Sequence, residues 1–477
     1  MLSKKRTINI SKRDVVWSYA SVIMTLGVNI FLLPLIMNKL SDDELGLWYT
    51  FLAVGNIALL FDFGFKPTIA RNITYVWCGA TDLKKEGVVT EERKQNTDYE
   101  LLKSVMQACK RIYLFVGILA TFFLLTIGSV YIWYVTRNIL SENYIIAWII
   151  YVIAILLNIY FSYYNAFLSG VGAIAEMNIS NVVARIVQLL VSFVMLILGY
   201  GIISVSIAYL LYGVFFRFVS KRLFWKYEGL GINLKKYYVK TTKTEIFNLF
   251  QTIWHNAWRD GLVSFANYLT SQIGTLLCSL FLSLSDTATY GLTLQLVGAI
   301  ASIATTFYSA YQPKLQANSL EFDKTETKKL LSLALVTYYV IYILGIAALV
   351  VVGVPLLKII KSDTEIRMDV LIVYSIYMFL YKNHILFASY IAGTNRVPYV
   401  KAFLVSGVIM TFFSIVLLET TSMGMWALIV SPLLTELCYD NWKWPKFVLD
   451  ELELSLKEFV VNGIKNIYSC ALSIKSR

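Results

Sequence analysis

The sequence predicts an all-α polytopic membrane protein, with about twelve transmembrane helices in two six-helix lobes related by a pseudo-twofold axis along the membrane normal. Three observations predict it. Of the 477 residues, 58% are hydrophobic and 15% charged, and the mean hydropathy is +0.64, more apolar than the surface of a soluble chain tolerates. The apolar residues come in blocks of about 20, long enough to cross ~30 Å of hydrocarbon as helices. These blocks are solid rather than alternating, which disfavours a closed barrel. Finally, the second half of the chain repeats the pattern of the first.

Taken in order, the spans fall near 14–38, 45–70, 111–135, 144–168, 179–199, 201–222, 259–283, 287–311, 330–353, 369–392, 399–418 and 423–440. Lys4, Lys5, Arg6, Lys12 and Arg13 precede the first, and no small-residue cleavage site follows, so that helix is expected to stay. The amino end, 72–110 (Lys84, Lys85, Arg93, Lys94, Lys103), 221–258, 312–329 and the carboxyl tail are long and basic. The alternate connections, at 41–44, 136–143 and near 200, 285 and 420, are short and poor in cations; 354–368, with Lys358, Lys361 and Arg367, runs against the rule. Lys and Arg gather in cytoplasmic loops, so both termini are expected in the cytoplasm. The organisation is then a lobe over 1–222, a cytoplasmic linker over 223–258, a lobe over 259–440 and an amphipathic cytoplasmic tail over 441–477.

The halves match at a shift of about 246. Arg13-Asp14 opens the first span and Arg259-Asp260 the seventh, and each aspartate heads a polar stripe along one helical face: Ser18, Ser21, Thr25 and Asn29 in one, Ser264, Asn267, Ser271 and Thr275 in the other. SDDELGLW at 41–48 answers SDTATYGLT at 285–293, Lys66-Pro67 answers Gln312-Pro313, and FLSG at 167–170 answers YIAG at 390–393. Repeats of six helices point the same way, which places their axis along the membrane normal. Such a stripe serves either close helix packing or the wall of a wet cavity.

The net charge of +12 sits mainly in the loops, where membrane topology accounts for it without nucleic acid. Five scattered cysteines and two histidines show no metal-ligand spacing. There is no P-loop, HExxH or GxSxG, and GVGAIA at 170–175 follows a membrane helix rather than a strand. No catalytic residue, metal or cofactor is expected, and the reading is a transporter rather than an enzyme.

Ionisable groups inside a bilayer are costly and usually face protein or water. The candidates are Asp62, Lys66 and Arg71 in the second span, Arg185 in the fifth, Arg217 in the sixth, Lys382 and His384 in the tenth and Glu436 in the twelfth. Asp62 and Lys66, four apart, would neutralise each other on one helical face. Arg71, Arg217 and Arg259 lie near span ends, where they either snorkel or face a cavity. Lys382 lies too deep to snorkel. Cations outnumber anions, so a net-positive chamber formed by Lys66, Arg71, Arg185, Arg217, Arg259 and Lys382 would suit an anionic cargo, phosphate above all. Some of the 32 Tyr and 11 Trp could stack on sugar rings. Asp14, Asp62, Asp260 and His384 are the ion-coupling or gating candidates.

The stretch SDDELGLWYTFLAVGNIALLFDFGFKPTIARN at 41–72, with its acidic turn, GLW and LFDFGF ending, resembles O-antigen and polysaccharide-unit flippases of the Wzx type, within the multidrug/oligosaccharidyl-lipid/polysaccharide (MOP) exporter superfamily. The two six-helix halves and the FLSG and YIAG connections agree with that resemblance. It implies a flippase of the bacterial inner membrane that carries undecaprenyl-pyrophosphate-linked oligosaccharide across by alternating access, with ion coupling, for O-antigen or capsule synthesis. Implied partners are that lipid-linked glycan, membrane lipids, and the polymerase and chain-length regulator of such pathways. Asp62, Lys66 and Arg71 match the family's second-helix motif. Tyr308 and Gln312 stand where the second half would repeat the first two. The competing readings are a multidrug-type small-molecule antiporter, for which acidic residues would be expected, a membrane glycan polymerase, and a scaffold subunit docking through the tail.

Overall fold

In this computed structural model, residues 7–40, 42–62, 64–85, 96–136, 143–237, 242–271, 273–282, 284–321, 324–355 and 367–475 are described. Lys4, Lys5, Arg6, Arg93, Lys94, Lys240, Lys358 and Lys361 lie outside them, as do the side chains of Asn29 and Ser271. Among the described residues every regular element is helical. Eight helices among the described residues are long and apolar enough to span a membrane: 99–133, 143–170, 174–197, 202–236, 289–318, 324–353, 368–393 and 400–420. These are the expected third to sixth and eighth to eleventh spans. The chain is a multi-pass membrane protein.

The first compact unit ends at Gly261, and the second runs from Leu262 to the carboxyl end. In the first unit α1 (Lys12–Lys39) and α2 (Asp42–Leu59) lead into α3 (Phe65–Trp77), α4 (Tyr99–Phe123), α5 (Ser129–Thr136), α6 (Asn143–Phe161), α7 (Tyr163–Gly170), α8 (Ile174–Ile197), α9 (Ile202–Lys226) and α10 (Leu230–Lys236). Helix α11 (Lys243–Ser271) crosses into the second unit, where α12 (Ile273–Phe281), α13 (Leu284–Glu321), α14 (Lys324–Ala348), α15 (Met368–Gly393), α16 (Val400–Thr420), α17 (Ala427–Cys438), α18 (Asp440–Glu451) and α19 (Leu456–Lys475) follow. Helix starts at polar loops are fixed by reciprocal caps: Ser11 with Asp14, Thr242 with Glu245 and Ser455 with Glu458 each exchange side-chain and backbone hydrogen bonds.

The duplication is visible in the backbone. Both α4 and α14 run 25 residues and then widen into a five-residue π turn, Leu124–Gly128 and Leu349–Gly353. A π turn is rare, so its recurrence at one place in both halves is specific. The FLSG and YIAG ends also play one role. A Cβ on Gly170 would sit 2.7 Å from the Ala70 carbonyl oxygen, and one on Gly393 would sit 3.3 Å from Gln316 Cγ. Glycine lets the fourth helix of each half lie directly against the second.

The boundaries differ from expectation where local chemistry intervenes. The second span is not one helix: α2 passes through a 3₁₀ turn at Leu60–Asp62, and Gly64, at φ 68°, starts α3 afresh. Pro67 then sits in the first turn of α3, where its missing N–H is harmless. At the shift of the repeat Ala310 stands for Gly64, and α13 runs unbroken through Pro313. Without a glycine to adopt a left-handed turn, the second half has no break there. Where it is described, the linker region is helical, in α10 and the amino half of α11. The tail helix α19 buries Phe459 and holds the Lys329 carbonyl of α14 through Asn466 (3.2 Å), while Val460, Ile464 and Tyr468 stay exposed.

Candidate functional site

The motif of the second span folds around one buried ion pair. Arg71 on α3 and Asp260 on α11 approach to 3.5 Å, with side chains only 1% and 9% exposed, and Thr68 Oγ1 donates to the same Asp260 oxygen at 2.6 Å. Gly64 makes this fit, because a Cβ there would meet Asp260 Cβ at 2.5 Å. Asp62 sits at the entrance to α3, beside the Lys66 backbone amide and Tyr113, and the Lys66 side chain is exposed. The expectation that Asp62 and Lys66 share one helical face is corrected, because the chain breaks between them at Gly64, while the Lys66 charge still acts on the Asp62 carboxylate.

Asp14 is likewise bonded throughout. One carboxylate oxygen accepts from Ser11 N (2.7 Å) and Oγ (2.6 Å), and the other accepts from Ala175 N (2.8 Å) in the first turn of α8. A carboxylate there satisfies orphan amides and complements the helix dipole. Ser18 continues the stripe, accepting from Asn178 Nδ2 at 2.9 Å. In the other stripe Asn267 accepts from Tyr381 Oη at 3.2 Å. These polar positions bond one helix to another.

Arg185 has a different setting. Its guanidinium lies 4.5 Å from the ring centre of Tyr212 and donates to Gln188 Oε1 at 2.8 Å. Tyr212 continues a ladder of rings, Tyr151 to Tyr209 at 5.4 Å, Tyr209 to Tyr212 at 6.3 Å and Tyr212 to Phe216 at 6.4 Å. Asn181 accepts from Tyr212 Oη at 3.4 Å. The buried Asn158 amide, pressed against Gly213, makes no hydrogen bond of normal geometry among the described residues. Rings, amides and one cation from α6, α8 and α9 thus share one place in the first unit. Among the described residues Arg185 forms no ion pair with a carboxylate.

In the second unit Lys382 is half-buried over the Tyr381 ring (5.2 Å) and also makes no ion pair among the described residues. It belongs to a second aromatic run on α15: Tyr374 to Tyr377 at 5.7 Å, Tyr377 to Tyr381 at 6.0 Å and Tyr381 to His384 at 5.5 Å. His384 is buried, with Nδ1 2.9 Å from Asn441 Oδ1 and 3.5 Å from Glu436 Oε2. Beside them Asp440 accepts from Ser406 Oγ (2.5 Å) and Trp444 Nε1 (2.8 Å). The remaining candidates are apart from these groups: Arg259 donates to its own helix at the His255 carbonyl (3.0 Å) and lies against Trp258, and Arg217 lies 4.2 Å over Phe161. Among the described residues no cluster of His, Cys, Asp or Glu is arranged to hold a metal ion.

Sequence reasoning missed the tyrosine ladders, although the signal was present. Tyr209, Tyr212 and Phe216 recur at three and four, as do Tyr374, Tyr377, Tyr381 and His384, the spacing of one helical face. Thr68, Asp440 and Asn158 gave no such signal.

No protein-family profile and no characterised relative matches the sequence. Solved structures do match. An outward-facing multidrug resistance MATE family transporter of the MOP superfamily aligns over 94% of this chain and 98% of its own, with a TM-score of 0.66 and 14% identity. A MATE in the bent conformation aligns over 93% and 95%, with a TM-score of 0.63 and 13% identity. A MOP superfamily transporter from Pyrococcus furiosus, described as having a binding pocket of reverse polarity, aligns over 94% and 98% at a TM-score of 0.61 and 13% identity. The fold is that of these transporters. At such identity the likeness reaches the helical framework and not the ladders or the buried pairs.

Proposed function

We propose that the protein is a flippase that moves a lipid-linked oligosaccharide with an anionic head, of the undecaprenyl-pyrophosphate class, across the bacterial inner membrane by alternating access. The observation that carries this reading is the setting of Arg185 and Lys382. Each lies on a tyrosine ring within an apolar span, and neither is neutralised by a carboxylate among the described residues. A cation kept in a span without a counter-charge among the described residues is retained for something that arrives. A pyrophosphate supplies the charge, and flat rings flanked by amides suit sugars. The prenyl tail gains about 0.8 kcal/mol per buried CH₂ and stays in lipid; only the head requires shelter. Lys66 and Arg71 are less suited to hold cargo, one being exposed and the other paired with Asp260. His384 beside Glu436 is the best-placed pair for ion coupling.

The competing reading is a small-molecule antiporter of the multidrug type, favoured by the buried acids Glu436 and Asp440 and by the description of one structural neighbour. A reconstitution experiment separates the two. Liposomes carrying the purified protein and a fluorescent prenyl-pyrophosphate saccharide are exposed to an impermeant enzyme that cleaves the saccharide. The proposal expects cleavage to proceed past the outer-leaflet half. Cleavage that stops there, as in protein-free vesicles, would refute it.

A further inference from the structure

The first unit carries a second concentration of positive charge, built from residues that the Arg185 ladder does not include. Lys110, in the first half of α4, lies with Nζ 5.8 Å from the ring centre of Tyr163. Arg217 on α9 lies 4.2 Å over Phe161, and Lys221 follows one helical turn later. Both Arg217 and Lys221 are close enough to Lys110 to repel its charge, and Arg217 also acts on Tyr163 and Tyr164. The rings form a tight floor, with Tyr160 to Tyr163 at 5.5 Å and Tyr163 to Tyr164 at 4.6 Å. Among the described residues none of the three cations makes an ion pair with a carboxylate.

Three like charges held together, two of them half-buried over aromatic faces, form an arrangement that is unfavourable when empty. Ring faces hold the guanidinium and ammonium in place, and an anion placed among them would relieve the repulsion of all three. Phosphate fits best, because guanidinium presents a fork of donors and each ammonium adds a point charge. Counted from the π turns that end α4 and α14, Leu335 stands in the second unit where Lys110 stands in the first, and counted from the FLSG and YIAG ends, His384 stands where Phe161 does, so the site belongs to one half only.

We propose that Lys110, Arg217 and Lys221 form a phosphate site on the first unit, filled by the headgroup of an anionic lipid. The same chemistry would accept a free pyrophosphate, and the experiment distinguishes the sources. Thermal midpoints of the purified full-length protein are measured with phosphatidylglycerol, phosphatidylcholine or inorganic pyrophosphate added. The expected result is a rise with phosphatidylglycerol that falls several-fold in Lys110→Met and Arg217→Gln, and persists in Arg222→Gln, which removes an exposed cation of the same helix. A rise with pyrophosphate that is lost in the same variants also supports the phosphate site and assigns a soluble source. Equal responses of wild type and both variants to every probe, or an equal rise with phosphatidylcholine, would overturn the proposal. Should Arg217→Gln fail to fold, Lys221→Gln at the exposed rim gives the same comparison.

Discussion

The buried pair of Arg71 and Asp260 offers the sharpest test of how the first unit is held together. Replacing Asp260 by Leu leaves the guanidinium, 1% exposed in the fold, without its carboxylate, and removing one partner of such a pair costs about 3–5 kcal/mol. Thr68 loses its acceptor as well, at 2.6 Å, adding about 1 kcal/mol. For a unit of 150–250 residues each kcal/mol lowers the melting midpoint by about 2–4 °C, so Asp260→Leu should lower it by roughly 8–24 °C. Arg71→Leu leaves the carboxylate uncompensated and should act similarly. The double variant removes both charges, and an apolar replacement of a buried pair is often neutral, so it should recover most of the loss. A thermal-shift series on the full chain in detergent reads all three. A double variant no more stable than the worse single would refute the reasoning, as would an Asp260→Leu protein that melts with wild type.

Other expectations follow from the same geometry. Gly64→Ala places a Cβ 2.5 Å from Asp260 Cβ at a left-handed φ of 68° and should destabilise by at least the ~1–2 kcal/mol of the backbone strain alone, visible in the same melting assay. Asp14→Ala removes the cap of α1 and the carboxylate at the start of α8 together, at about 0.5–2 kcal/mol for each; a transport defect with an unshifted midpoint would instead make Asp14 an ion carrier. Arg185→Gln and Lys382→Met should insert and fold normally while abolishing glycan delivery, measured as surface polysaccharide in cells. The exposed Glu453 receives a hydrogen bond from Lys324 at 2.6 Å, which holds its carboxyl below the usual range. A depressed carboxyl contributes stability above its unfolded pKa and loses it as pH falls through the folded one, so Glu453→Gln should change the midpoint slightly at neutral pH and not at all in acid.

The framework was legible because it rests on composition and period. Solid apolar blocks dictate helices, and the FLSG and YIAG ends announced the repeat, whereas the packing of their glycines on the second helix depends on partners far away in sequence. The break at Gly64 was harder, since a glycine beside a proline either loosens a helix or ends it. What decides is a tertiary fact, the approach of Asp260, which has no trace in the local sequence. The polar stripes show the same limit. Period alone places Asp14 and Ser18 on one face, but whether that face meets water or the amino end of α8 depends on a partner 161 residues away. Arg185 and Lys382 were found by depth and charge, while which of the many tyrosines lie beneath them was not legible, because interfacial belts use the same residues.

The central claim is that the charged groups of the spans select an anionic head. Binding of a short-chain prenyl-pyrophosphate saccharide to the purified protein, titrated beside a cationic drug, tests it directly. The saccharide is expected to bind, Arg185→Gln and Lys382→Met each to weaken it, and the drug not to compete. Tight binding of the drug that is lost in Glu436→Gln, with the saccharide ignored, would contradict it.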